Sequence, residues 1–154
     1  MPNWVMGNCE ITGTKENVKN FLINQLELVD FAGKKIGDVI VNGDILKTPI
    51  LDTNFRIYYI KDTCRCFIEP FTVDFNNLEE DKNENITLNL YIKGAWVIKS
   101  EPLAEISKEY HISFMIEAEE ESGEFEQVIY MKNGKIIEDE EITIHTYRGD
   151  NDEE

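Results

Sequence analysis

Apolar and polar residues alternate along most of this chain, and two stretches break the alternation with the longer period of a helix. "NCEITGT" (8–14) sets Cys9, Ile11 and Gly13 against Glu10 and Thr12, which predicts a strand. Thr14 is placed to cap a helix whose apolar stripe, Val18, Phe21, Leu22, Leu26 and Val29, keeps to one side at 3.6 residues per turn. That helix is expected to end between Asp30 and Gly33. Residues 34–53 carry no clean period and include Gly37, Gly43 and Pro49, so they read as a variable insertion with one short helix or turn.

"NFRIYYIKDTCRCFIEPF" predicts a hairpin. Phe55, Ile57 and Tyr59 alternate, "KDT" turns the chain, and Cys64, Cys66 and Ile68 alternate again before Pro70. After a polar loop, "ITLNLYIKGAW" points Ile86, Leu88, Leu90 and Ile92 one way and Thr87, Asn89, Tyr91 and Lys93 the other. Ser100 is a natural N-cap for a second helix that tolerates Pro102 in its first turn and turns Leu103, Ile106 and Tyr110 inward. A strand from His111 then buries Ile112, Phe114, Ile116 and Ala118, and Asn133-Gly134 marks the tip of a hairpin. "EITIHTYR" (141–148) reads as one more strand carrying Ile142 and Ile144. The order strand–helix–strands–strand–helix–strand predicts an α+β fold. It would be a ferredoxin-like antiparallel sheet with two helices on one face, an insertion after the first helix and extra C-terminal strands. One domain would span 1–148, with 31–85 as the variable insertion and hairpin and 149–154 as an acidic tail. Trp4 and Trp96 are expected to pack near each other and seal one end of the core. The sheet face away from the helices would be open, with His111, Ser113, Met115, Glu117 and Glu119 on it.

Composition changes this picture in one respect. A chain of 154 residues with 42% hydrophobic content suits a single globular domain. No apolar run reaches the about 18 residues of a membrane span, and "MPNW" is unlike a signal peptide, so a cytoplasmic protein is expected. The charge, however, is −16, and it is lopsided. Residues 1–100 hold 14 acids and 11 bases, whereas 101–154 hold 17 acids and 4 bases. Direct binding to a phosphate backbone or an anionic membrane is disfavoured, because both draw on Lys and Arg. The acids serve solubility, or they complement a basic partner.

The candidate chemistry is thin. Cys64 and Cys66 share one strand face and could join His111 around a metal, but a single C-x-C without a second pair falls short of a structural zinc site. Cys9, Cys64 and Cys66 otherwise read as free buried thiols. No spacing couples a thiol to His111 or His145 for nucleophilic catalysis. Carboxylates are so many that no pair stands out as acid and base, and "GKKIGD" lacks the spacing of a phosphate loop. No cofactor and no catalytic residue is assigned.

Two blocks carry a family resemblance. "MPNW" leading into a strand that ends "ITGT", and "GAWVIKSEPLAEISKEYHISFMIEAEEESGEF" followed by "MKNGKI", resemble the ferredoxin-like domain of YubB-like proteins of plasmids and phages. The likeness covers about 1–30 and 86–137. The family usually has Ser-Pro-Pro after the Trp, where this chain reads Val97-Ile98-Lys99-Ser100-Glu101-Pro102. The resemblance implies a small mobile-element protein in the cytoplasm of a bacterial host and gives no iron–sulfur site.

Two functions follow as expectations. The first is a protein-binding module, not an enzyme. Its acidic C-terminal half, through Glu117, Glu119, Glu120, Glu121, Glu124, Glu126, Glu138, Asp139, Glu140 and Glu141, would occupy a basic groove on a host protein. Such a protein could be an inhibitor of nucleic-acid-directed defence, of the anti-CRISPR or DNA-mimic type. The second is a small ligand-binding domain or enzyme with a site on the open sheet face near His111, Tyr91 and Trp96. Homo-oligomerisation through that face or an edge strand is left open by the sequence.

Overall fold

A computed structural model of the chain describes residues 2–51 and 55–144. His145, the end of the last expected strand and the tail 149–154 lie outside the described residues. The elements, in order, are β1 (Trp4–Thr14), α1 (Lys15–Asn24), β2 (Leu26–Val29), β3 (Lys35–Gly37), β4 (Ile40–Asn42), β5 (Ile45–Lys47), β6 (Ile57–Ile60), β7 (Cys66–Ile68) and β8 (Thr72–Asp74). A 3-10 turn (Phe75–Asn77) leads to β9 (Asn85–Ala95), α2 (Ser100–Tyr110), β10 (Ser113–Glu120), β11 (Phe125–Lys132) and β12 (Lys135–Thr143).

Nine strands form one antiparallel sheet in the order β12-β11-β10-β1-β9-β7-β6-β2-β3, and β4-β5-β8 form a second. The expected ferredoxin-like α+β arrangement is therefore wrong. Among the described residues 50% are in strands and 17% in helices, and two helices cover only part of a sheet far wider than the ferredoxin-like one. The cause lies at the flanks. β11 and β12 extend one side, while β6 and β3, from residues read as insertion and hairpin, and β2, from residues read as helix, extend the other. A period of two reveals each strand but not which neighbours join it edge to edge.

The helices lie on one face of the sheet, α1 over β1 and α2 over β11 and β12. Val18, Phe21 and Leu22 of α1 and Leu103 and Ile106 of α2 are buried against Ile11, Leu88, Leu90, Phe114 and Ile116. Phe21 meets Phe114 and Tyr110 edge-on, at centroid separations of 5.4 and 5.8 Å. The small sheet adds Leu46 and Val73, with Phe75 just beyond it, to the same core.

Several boundaries moved. The Thr14 hydroxyl caps α1 by accepting the Asn17 N–H at 3.1 Å, as expected. The helix nevertheless stops at Asn24, and Leu26–Val29 are a strand paired with β6. Leu26 sits four residues after Leu22, so a strand's first apolar residue coincided with the helical stripe. Where a short helix or turn was expected, the described residues of 34–53 hold the strands β3, β4 and β5 and no helix. Ser100 is not the cap of α2: Lys99 is, and the Ser100 hydroxyl donates to Asp139 instead. Asn133-Gly134 turns β11 into β12 with φ of 54° and 88°, as that dipeptide predicts. What read as a hairpin arm and a further strand is one strand, β12, with a register shift opposite Tyr130.

Trp4 and Trp96 do not seal the core together. The Trp4 ring packs on Phe67 with centroids 6.0 Å apart, and Trp96 is 57% exposed at a positive φ. A backbone hydrogen bond from Trp96 N–H to the Asn3 carbonyl joins the two ends. Among the described residues no helix is long and apolar enough to cross a membrane.

Candidate functional site

The sheet surface away from the helices divides into two unlike halves. Residues directly opposite across antiparallel strands share a face, so the register lays out the first half in rows. Glu119 of β10 lies opposite Glu126 of β11, which lies opposite Ile142 of β12. Glu117, Val128 and Glu140 form the next row, and Met115, Tyr130 and Glu138 the one after. Lys132 and Lys135 close the array at the hairpin tip. Five of the ten acids named from the sequence thus share this surface: Glu117, Glu119, Glu126, Glu138 and Glu140. Glu10 of β1, opposite Met115, joins them and was missed, because it lies far from the acidic half of the sequence.

The other five acids do other things. Glu120 is buried, and its Oε1 accepts the backbone N–H groups of Ser122 and Glu124, each at 3.1 Å, as well as the Ser122 hydroxyl. Those bonds order the β10–β11 turn and hold the carboxyl below the usual glutamate value of 4.5, the Ser122 hydroxyl contributing most. Glu121 accepts the Trp4 N–H at 2.7 Å, which ties the start of β1 to the same turn. Asp139 faces α2 and holds Ser100. Glu141 lies opposite Gln127, on the helix side, and Glu124 stands exposed in the turn.

The second half is aromatic. Trp4 of β1, Phe67 of β7 and Tyr59 of β6 form a continuous floor, with Tyr59 and Phe67 centroids 5.7 Å apart. Lys93 Nζ lies 4.7 Å from the Trp4 ring centroid, and Arg65 Cζ lies 5.9 Å from it. These side chains line a cleft of about 650 Å³ whose rim carries Phe31 and Phe55. No spacing in the sequence announces it, since its parts come from separate strands. The available signal was the run "IYYI", apolar on both faces, which marks a strand with something to cover on each side.

The residues of the alternative site are not gathered. Tyr91 is at the middle of β9 and Trp96 beyond its end, whereas His111 follows α2 at the opposite end of the central strands, next to Ser113. His111 Nδ1 pairs with Asn133 Oδ1 at 3.0 Å, within a shallow hollow of about 600 Å³ that also includes Glu10, Asp81, Tyr130 and Lys132. Asp81 is committed there to the N–H groups of Asn83 and Asn85.

The thiols separate too. β7 begins at Cys66, so Cys64 lies exposed in the preceding turn while Cys66 is buried, and the expected shared strand face is incorrect. Burial pushes the Cys66 thiol up to about 12 and raises Cys9 further, so neither supplies a thiolate near neutral pH. Among the described residues no group of three or more His, Cys, Asp or Glu could hold a metal ion.

Comparison with known proteins found no matching family model, no similar curated protein and no matching solved structure. The likeness to YubB-like proteins therefore rests on the quoted motifs alone.

Proposed function

We propose that this chain is a protein-binding module that presents the acidic half of its sheet face to a basic partner. The observation that carries this reading is the placement of like charges. Glu119 and Glu126 stand directly opposite each other, and Glu117 and Glu140 flank a single Val128. Opposed like charges on a sheet are destabilising. Solubility alone is served as well by dispersed acids, and a basic surface laid across the rows offsets the repulsion. The two ion pairs among the described residues, Lys19–Asp44 and Lys35–Asp38, lie elsewhere and leave the array without internal partners.

An array of carboxylates held in register fits a groove built to hold phosphates, so the partner class is a protein with a nucleic-acid-binding groove. Met115, Val128 and Tyr130 between the acids supply apolar contact at the centre of the interface.

The test begins with co-purification of partners from the natural host. Affinity for a captured partner is then measured against salt for the wild type and for the combined variant E117Q/E119Q/E126Q/E138Q/E140Q. A steep loss of wild-type affinity with salt, an affinity at least about tenfold weaker in the variant, and competition by a DNA or RNA oligonucleotide are expected. Equal binding by the variant, or indifference to salt, overturns the reading.

A further inference from the structure

Exposed aromatic rings are costly in water, yet this chain sets two side by side. Phe31 is 80% exposed and Phe55 is 38% exposed, with ring centroids 5.0 Å apart. The Phe31 loop is itself ordered: Asp30 Oδ1 accepts the N–H groups of Ala32 and Lys34, both at 2.9 Å. An exposed aromatic on a fixed loop differs from one on a fraying end, because the loop's own hydrogen bonds hold its backbone in place. Beneath the pair, Val29 and Ile57 are buried at 2% and 6% exposure but stand outside the main core, as the back wall of the cleft. Across from the rim lies the strand-borne floor of Trp4, Phe67 and Tyr59. The Tyr59 hydroxyl is anchored by donating to the Thr63 carbonyl at 2.7 Å.

The charge of this cleft is the reverse of the molecule's. In a chain of net charge −16, its lining holds Arg65 and Lys93 against one carboxylate, Asp30, which the loop N–H groups already occupy. Among the described residues neither Arg65 nor Lys93 takes part in an ion pair; both lie beside the Trp4 ring. Arg65 is held there at a φ of 54°, in the left-handed region that side chains other than glycine seldom adopt. A volume of about 650 Å³ falls within the range of small-molecule sites.

We propose that this cleft binds a small anionic ligand carrying a flat unsaturated ring, of the nucleoside-phosphate class. The ring lies between the floor of Tyr59 and Phe67 and the rim of Phe31 and Phe55, where stacking is offered from two sides. The phosphate reaches Arg65 and Lys93, whose guanidinium and ammonium groups are the donors that such an anion recognises. The cleft shares no residue with the acidic array, which is centred on β10, β11 and β12 of the same face.

The experiment uses the full chain carrying W96F, which leaves Trp4, within the cleft, as the only tryptophan. Fluorescence is titrated with AMP, GMP, ATP and GTP, and with adenosine and inorganic phosphate as the ring-only and anion-only controls. At least one nucleotide is expected to change the Trp4 signal saturably and to bind at least about tenfold tighter than either control. R65A/K93A is expected to weaken that binding at least about tenfold, and F31A to weaken it measurably, both with unchanged melting because these side chains lie outside the core. Absence of saturable binding by any nucleotide, equal binding of a control, or unaltered affinity in R65A/K93A overturns the proposal.

Discussion

The two halves of the open sheet face belong to one sheet and differ in what their strands carry outward. On β10, β11 and β12 the outward positions carry five carboxylates interleaved with Met115, Val128, Tyr130 and Ile142, and Lys132 and Lys135 close the array. On β7, β6 and the start of β1 they are aromatic rings, with two cations resting on one of them. The acidic half repels itself, which suits a large complementary surface. The aromatic half packs its rings against one another around a cleft, which suits a small ring. A helix-covered core supports both, so the two surfaces share one folding unit while their recognition chemistry is separate.

The strongest way to break this comparison is through the shared core. Phe114→Ala removes a ring buried between sheet and helices and is expected to cost about 3–5 kcal/mol, lowering Tm and abolishing both binding activities together. Loss of only one activity, with the other retained, would show that the halves fold apart.

Gly134→Ala acts on one half. A Cβ at Gly134 would lie 2.7 Å from the Lys108 Cβ, and its φ is 88°. A loss of about 1–3 kcal/mol in chemical denaturation is expected, with the partner affinity of the acidic half falling further than the nucleotide affinity of the cleft.

The crossed pair sharpens the distinction directly. The five-fold Glu→Gln variant should keep nucleotide affinity within about twofold, and R65A/K93A should keep partner affinity within the same limit, each losing at least about tenfold in its own assay. Either variant weakening both by similar factors would mean a single contiguous site.

The smallest effect concerns Glu120. Its carboxyl is held below the ordinary value in the folded protein, so it contributes stability above about pH 4.5 that is lost as pH falls through the lowered value. In E120Q, melting temperature followed from pH 7 down to pH 3 should fall less steeply than in the wild type. Parallel curves would assign the acid sensitivity elsewhere.

Much of the sheet was legible in the sequence because alternation is a local signal. Ile86 to Ile92, Phe114 to Ala118 and the Asn133-Gly134 turn needed no long-range information. The end of α1 was not legible, since Leu26 satisfies the helical stripe and the strand equally, and pairing with Ile60 decides it. Sheet width was hidden for the same reason: the flank joins the sheet only through the pairings of β2 with β6 and of β7 with β9, which are distant in sequence. Half of the acidic list fell on one face because alternation on β10 and the hairpin register place it there. Glu120, Asp139 and Glu141 fell on the other because the same alternation sends intervening residues inward. The cleft was illegible, since Trp4, Tyr59, Arg65, Phe67 and Lys93 meet only through the pairing of β1, β9, β7 and β6.

β12 closes the nine-stranded sheet on its acidic side and, among the described residues, has no neighbour beyond it. Over nine residues its outer row of amide and carbonyl groups is a template on which another strand could assemble, and Ile136, Ile137 and Ile142 are partly exposed along it. Glu138, Asp139, Glu140 and Glu141 stand along that template, and charges on an edge keep copies from zipping together. The acids that would meet a partner therefore also act as guards against fibre growth. Neutralising them should make the protein increasingly prone to concentration-dependent self-association.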